Sequence, residues 1–194
     1  MTAIQVGYFV GSLSSTSINR VLSRALIRLA PDDMEFTEIP IGGLPLYSPD
    51  HDSDYPPEAR SLKASIAASD AILFVTPEYN RSIPGALKNA IDWASRPWGQ
   101  NSFDHIPAAV IGASIGQIGT AMGQQSLRGV LSFCNARQMT SPEAYITFSP
   151  EVFLPDGEVT NDSTAEFLRS YMLEFHTYIG MVLAVLPRER ASRD

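Results

Sequence analysis

The sequence predicts an α/β fold, a five-stranded parallel sheet covered by helices on both faces in a three-layer sandwich. Three observations predict it. Short β-branched or aromatic runs alternate five times with segments whose apolar residues recur at helical spacing. The run Ala71-Ile72-Leu73-Phe74-Val75 holds no polar residue, as a strand buried on both faces requires. The loops after the first, third and fourth strands are rich in Ser, Pro and Gly, and parallel strands bring all three to one edge of the sheet.

The first strand spans Ile4 to Val10 and stops at Gly11. A helix from Ile18 to Leu29 follows, with Ile18, Val21, Leu22, Ala25, Leu26 and Leu29 on one face, and Pro31-Asp32-Asp33 ends it. Met34 to Ile39 alternates as a second strand, and Pro40 to Pro57 reads as a long loop. Glu58 to Ser69 is the next helix, with Ala59, Leu62, Ile66 and Ala67 inward. After the Ala71–Val75 strand, Pro84 to Ala94 is helical, Pro84 standing in the first turn where its missing N–H costs nothing. Ala108 to Ser114 is the fourth strand, Thr120 to Phe133 a helix, and Gln138 to Tyr145 a fifth, weaker strand. Ser163-Thr164-Ala165-Glu166 reads as a capping box opening a last helix, whose stripe is Leu168, Tyr171, Met172, Phe175, Ile179 and Leu183. No internal boundary appears, so residues 1–194 are expected to form one domain.

Composition narrows the function. Fourteen Lys and Arg against twenty-one Asp and Glu give a net charge of -7, which disfavours nucleic acid as a partner. No apolar run is long enough to cross a bilayer and no secretory signal opens the chain, so a cytoplasmic location is expected. Cys134 is alone and sits in an apolar stretch, which suits an inert core thiol. His51, His105 and His176 are dispersed, and no His/Cys/carboxylate spacing suggests a metal site.

In a sheet of order 2-1-3-4-5, a ligand lies between the loops after strands 1 and 3, where the order reverses. The first of these is Gly11-Ser12-Leu13-Ser14-Ser15-Thr16-Ser17, directly before a helix. One Ser would suffice as an N-cap; this density of hydroxyls beside free helix amides suits a phosphate. It is neither a P-loop nor a Gly-x-Gly-x-x-Gly turn, which removes the common nucleotide hydrolases and dehydrogenases. The second loop, Thr76-Pro77-Glu78-Tyr79-Asn80-Arg81-Ser82-Ile83-Pro84-Gly85, offers a stiff path on which a planar ring can lie, or a plain turn with Glu78 solvated and paired to Arg81. The third, Gly112-Ala113-Ser114-Ile115-Gly116-Gln117-Ile118-Gly119, allows either close approach to a ligand or tight helix–sheet packing.

These three loops, with Leu87-Lys88-Asn89-Ala90-Ile91-Asp92-Trp93 after the second, resemble the NADPH-dependent FMN reductase family, which has the flavodoxin-like fold and includes quinone, chromate and azo-dye reductases. The resemblance runs from about residue 4 to 145. It implies FMN as cofactor and NADPH or NADH as co-substrate. Ser12, Ser14, Ser17 and Asn19, with the amide of Ile18, would then hold the FMN phosphate. Pro77, Glu78, Tyr79 and Asn80 would contact the ring, and Ser114 and Gly116 its pyrimidine side. Relatives often carry a cation near positions 14 and 15, where this chain has Ser14 and Ser15, which implies weaker phosphate affinity. A homodimer or homotetramer is expected, with the helix holding Trp93 in the interface and Trp98 just past it; one of the two can equally be core.

The implied reaction passes hydride from NAD(P)H through FMN to a small acceptor by a ping-pong route and needs no acid/base side chain. Quinone, free flavin, azo compound and oxyanion all remain open as acceptor. Tyr47 can wall the acceptor pocket or pack its own loop. A flavodoxin-type electron carrier is the alternative.

Overall fold

The computed structural model describes residues 3–188. Strands β1 (Ile4–Val10), β2 (Met34–Glu38), β3 (Ala71–Val75) and β4 (Pro107–Ser114) alternate with helices α1 (Ile18–Leu29), α2 (Pro57–Ala67), α3 (Gly85–Ala94) and α4 (Ala121–Phe133). Two short strands, β5 (Arg137–Gln138) and β6 (Tyr145–Thr147), precede the long helix α5 (Asp162–Val185). The order is β2-β1-β3-β4-β5, with β6 also on β4 and every pairing parallel. This is the flavodoxin-like order that the loop composition selected.

Side chains of a strand alternate between faces, so the sheet supports two cores. Phe9, Ile72, Phe74 and Val110 pack with α2, α3 and α4; Val6, Leu73, Val75 and Ile111 pack with α1 and α5. Phe9 stacks on Phe74 at 5.1 Å, with Phe103 tilted beside both. All of β3 is buried, as its composition requires.

Three expectations need correction. The fifth strand is not continuous: β5 pairs with Pro107–Ala108 and β6 with Gly112–Ser114, and the chain leaves the sheet between them. Pro142 lies in that gap and has no N–H to offer a ladder. The N-cap of α5 lies two residues before the capping box: it is Asn161, its Oδ1 accepting the Thr164 N–H at 2.9 Å, while Glu166 pairs with Arg169. Pro84 is the residue before α3 rather than part of its first turn. The two Trp residues separate cleanly. Trp93 is fully buried and donates its indole N–H to the Pro45 carbonyl, whereas Trp98 is 80% exposed.

Tyr47 packs the long loop. Its ring meets Trp93 edge-on at 5.1 Å, its N–H donates to Asn89 Oδ1, and its hydroxyl donates to Asp52. Cys134 is buried, and burial pushes its thiol pKa up, so it is poorly nucleophilic. No helix among the described residues is long and apolar enough to cross a membrane.

Candidate active site

The carboxyl ends of β1, β3 and β4 open onto one cleft of about 330 Å³. Its walls come from the three loops singled out by composition: Ser12, Thr16, Ser17, Ile18 and Asn19 from the first, Pro77, Glu78 and Tyr79 from the second, and Ala113, Ser114 and Ile115 from the third. Ser14, Asn80 and Gly116 belong to the same loops but stand outside that lining. Thr16, Ala113 and Ile115 were not anticipated. Thr16 sat within the visible hydroxyl run; an Ala and an Ile in a loop carry no chemical signal.

The first loop is an array of donors. Ser17 caps α1, its Oγ accepting the Arg20 N–H, and Ser12 Oγ accepts the Ser14 N–H at 3.2 Å. A hydroxyl whose oxygen already accepts from a backbone amide has its own proton to give elsewhere. The amides of Ile18 and Asn19 open α1 without an acceptor among the described residues. This uncharged donor set fits a phosphate dianion at a helix N-terminus. No Lys or Arg lines the cleft, and Arg20 is held by Glu38 at 2.6 Å.

Asn19 contributes differently from its neighbours. Its side chain is 1% exposed and spent on Ala113, donating to the carbonyl and accepting from the N–H, both at 2.9 Å. Ladder bonding between β3 and β4 ends where Thr76 donates to Ile111, and Pro77 then has no N–H to continue it. The Asn19 amide takes the next place along β4. What Asn19 leaves for a ligand is its backbone N–H.

The second loop is a tight hairpin. Tyr79 and Ser82 exchange both backbone hydrogen bonds, at 2.9 and 3.0 Å, across Asn80 and Arg81. Those central residues have φ of 51° and 64°, a turn in which both must be left-handed. Asn accepts that geometry; at Arg81 a side chain costs about 1–2 kcal/mol relative to Gly. Glu78 is not the solvated charge one reading allowed. Its carboxylate is 12% exposed and accepts the Gly123 N–H in the first turn of α4 at 2.9 Å, while Arg81 stands 3.5 Å away. Gly123 permits this, since a Cβ there would press on Glu78 and on the Ser82 carbonyl. Ser82 and Ser126 hydroxyls join at 3.0 Å, so the hairpin is fastened to α4 from two sides.

In the third loop, Ser114 Oγ accepts the Gly116 N–H at 2.9 Å. Gly112 lets β4 lie against the neighbouring chain, because a Cβ would collide with the Thr76 carbonyl and the Thr120 hydroxyl. At the mouth, Tyr79 is 51% and Ile115 83% exposed, an apolar lip on an otherwise polar cleft.

An open parallel sheet with a donor-rich loop and a Pro77–Tyr79 wall at the point where strand order reverses fits the flavin-binding class of α/β proteins. The chain belongs to the NADPH-dependent FMN reductase family, whose pattern it matches over residues 4–151. It is 46% identical over 177 residues to a 2-hydroxy-1,4-benzoquinone reductase of Burkholderia sp., covering 91% of this chain and 97% of that one. A quinone reductase of Pseudomonas putida is 42% identical over 181 residues, with 93% and 97% covered. Among solved structures, the flavoenzyme NAD(P)H:(acceptor) oxidoreductase of Paracoccus denitrificans superposes with a TM-score of 0.89 at 45% identity, covering 92% of this chain and 98% of that one.

Proposed function

We propose that this chain is an FMN-dependent oxidoreductase that takes hydride from NAD(P)H and delivers it to quinone-type acceptors in a ping-pong cycle. The observation that carries the reading is the donor set of the first loop, set opposite a wall formed by Pro77, Glu78 and Tyr79. The quinone reductases among its relatives point to the acceptor class. The exposed Tyr79 and Ile115 suit an apolar, planar acceptor better than an oxyanion.

Bound FMN supplies the hydride-transfer chemistry, and the protein supplies binding, orientation and electrostatics. Ser12 and Ser17, with Ser14 beside them and the amides of Ile18 and Asn19, would hold its phosphate. Pro77, Glu78 and Tyr79, with Asn80 beside them, would position the ring, and Ser114, with Gly116 beside it, would hold its pyrimidine side. The Glu78 carboxylate acts by fixing the second loop against α4, and Asn19 by fixing the first loop against β4. The lip serves dinucleotide and acceptor in turn, so one must leave before the other binds. We further infer a homodimer or homotetramer, because Trp98 and the 74%-exposed Phe133 flank a second hollow of about 450 Å³ at the far ends of α3 and α4. Light scattering tests that association.

The function is tested by a visible spectrum after FMN loading and desalting, followed by anaerobic NADPH and NADH. Retained flavin absorbance that bleaches within seconds, and returns when a benzoquinone is added, is the expected result. Retained flavin that neither dinucleotide reduces would make the protein an electron carrier. Absence of retained flavin at high FMN concentration would remove the reading altogether.

A further inference from the structure

Resting on that reading, we propose that Arg81 is a dinucleotide-binding residue, its guanidinium receiving the pyrophosphate common to NADH and NADPH. Arg81 stands where backbone stability disfavours it. In a two-residue turn with φ of 51° and 64°, the second position favours Gly, yet it holds Arg81. A strained backbone persists when its surroundings over-determine it, and here they do. The Tyr79–Ser82 bonds, the Ser82–Ser126 contact and the Glu78–Gly123 bond all hold the turn closed whatever stands at its tip.

The side chain gains little from the protein in return. It is 67% exposed, and its single ion pair, with Glu78, is long at 3.5 Å. What the strain does achieve is position. Arg81 stands at the tip of the hairpin whose base walls the cleft, two residues beyond Tyr79; it lies outside the cleft lining, which itself holds no cation. The phosphate-type loop at α1 lies on another wall and already has its own amides and hydroxyls. A second anion approaching the mouth past Tyr79 meets the exposed guanidinium at the hairpin tip, on a protein of net charge -7. A planar fork of N–H donors suits a pyrophosphate and adds a positive charge that the neutral donors of the first loop lack.

Arg81→Gly and Arg81→Lys in the FMN-loaded protein test this, with steady-state kinetics, flavin retention and thermal melting read on the same samples. Arg81→Gly is expected to raise KM for the dinucleotide about tenfold while kcat, KM for the quinone and retained FMN stay near wild type. The wild-type KM should rise with salt and the Gly variant's should not. Arg81→Lys should fall between the two. The melting temperature of Arg81→Gly should equal or exceed wild type, since the turn is relieved. A dinucleotide KM within about twofold of wild type overturns the inference and leaves the flavoenzyme reading standing. So does a shift confined to the quinone KM, or loss of flavin. A melting temperature that falls together with all kinetic constants would assign Arg81 a structural role instead. If the wild-type protein is itself not reduced by either dinucleotide, the functional reading fails and the inference with it.

Discussion

Two side chains finish the work of strands that the chain does not supply. Asn19 satisfies both backbone groups of Ala113 where β3 turns away at Pro77, and the Tyr171 hydroxyl donates to the Val110 carbonyl at 3.0 Å in the gap between β5 and β6. Both residues are buried, so removing either leaves backbone groups with no water to turn to. Asn19→Ala should lower stability by about 2–4 kcal/mol and Tyr171→Phe by about 1–2 kcal/mol, read as shifts in a urea midpoint at unchanged slope. Burial holds the Tyr171 phenol above its usual pKa, which keeps that donor protonated at high pH. Asp33 behaves oppositely. Its hydrogen bond from His176 at 3.0 Å lowers its carboxyl pKa below 3.8, so the stability it lends is present above that value and fades as pH falls through the folded pKa. An acid titration of wild type against Asp33→Asn should show the two melting curves converging as pH falls below 3.8 and through the lowered folded pKa.

At the scale of elements, α3 is closed by a side chain from its neighbour. The Lys63 ammonium of α2 donates to the carbonyls of Ala94, Arg96 and Gln100 at 3.0, 2.7 and 2.6 Å, gathering the turn that carries Trp98. Burial brings its pKa down to about 8. Lys63→Met should cost about 1–3 kcal/mol and quicken hydrogen exchange in residues 95–101 while sparing the cleft at the carboxyl ends of β1, β3 and β4, because the three carbonyls end or follow α3, at the end away from the loop that precedes it. The same scale shows what a sequence reveals. Helices and central strands were legible to within a residue or two, since their periodicity is local and β3 announces itself by lacking any polar residue. The β5–β6 break was not legible, because pairing with β4 depends on a partner about thirty residues away. The Ser163–Glu166 motif was a true pattern with a competitor, Asn161, two residues upstream. In the cleft, the hydroxyl run stood out by composition, whereas the Pro77–Asn80 segment was ambiguous on composition alone and was singled out by the family resemblance. That Asn19 would tie itself to Ala113, 94 residues on, and that Glu78 would bury its carboxylate on α4, could be read from neither.

For the whole molecule, the cleft is built from three segments far apart in sequence, so filling it should brace the entire fold. FMN at a hundred times its dissociation constant is worth about 2.7 kcal/mol to the native state, or a rise of roughly 5–10 °C in melting temperature for a chain of this size. Riboflavin, which lacks the phosphate, should give much less at equal concentration; a matching rise would show that the ring wall alone accounts for binding. The divided fifth strand has a consequence of another kind. The outer rim of the sheet offers ladders of only two and three residues, Arg137–Gln138 and Tyr145–Thr147, with an irregular segment between them. The opposite rim, β2, carries Glu35 and Glu38. Neither rim presents the long, flat, uncharged strip on which a strand from another molecule can add, so each is guarded against runaway edge-to-edge aggregation. When copies of this chain meet, they must do so through helices and loops.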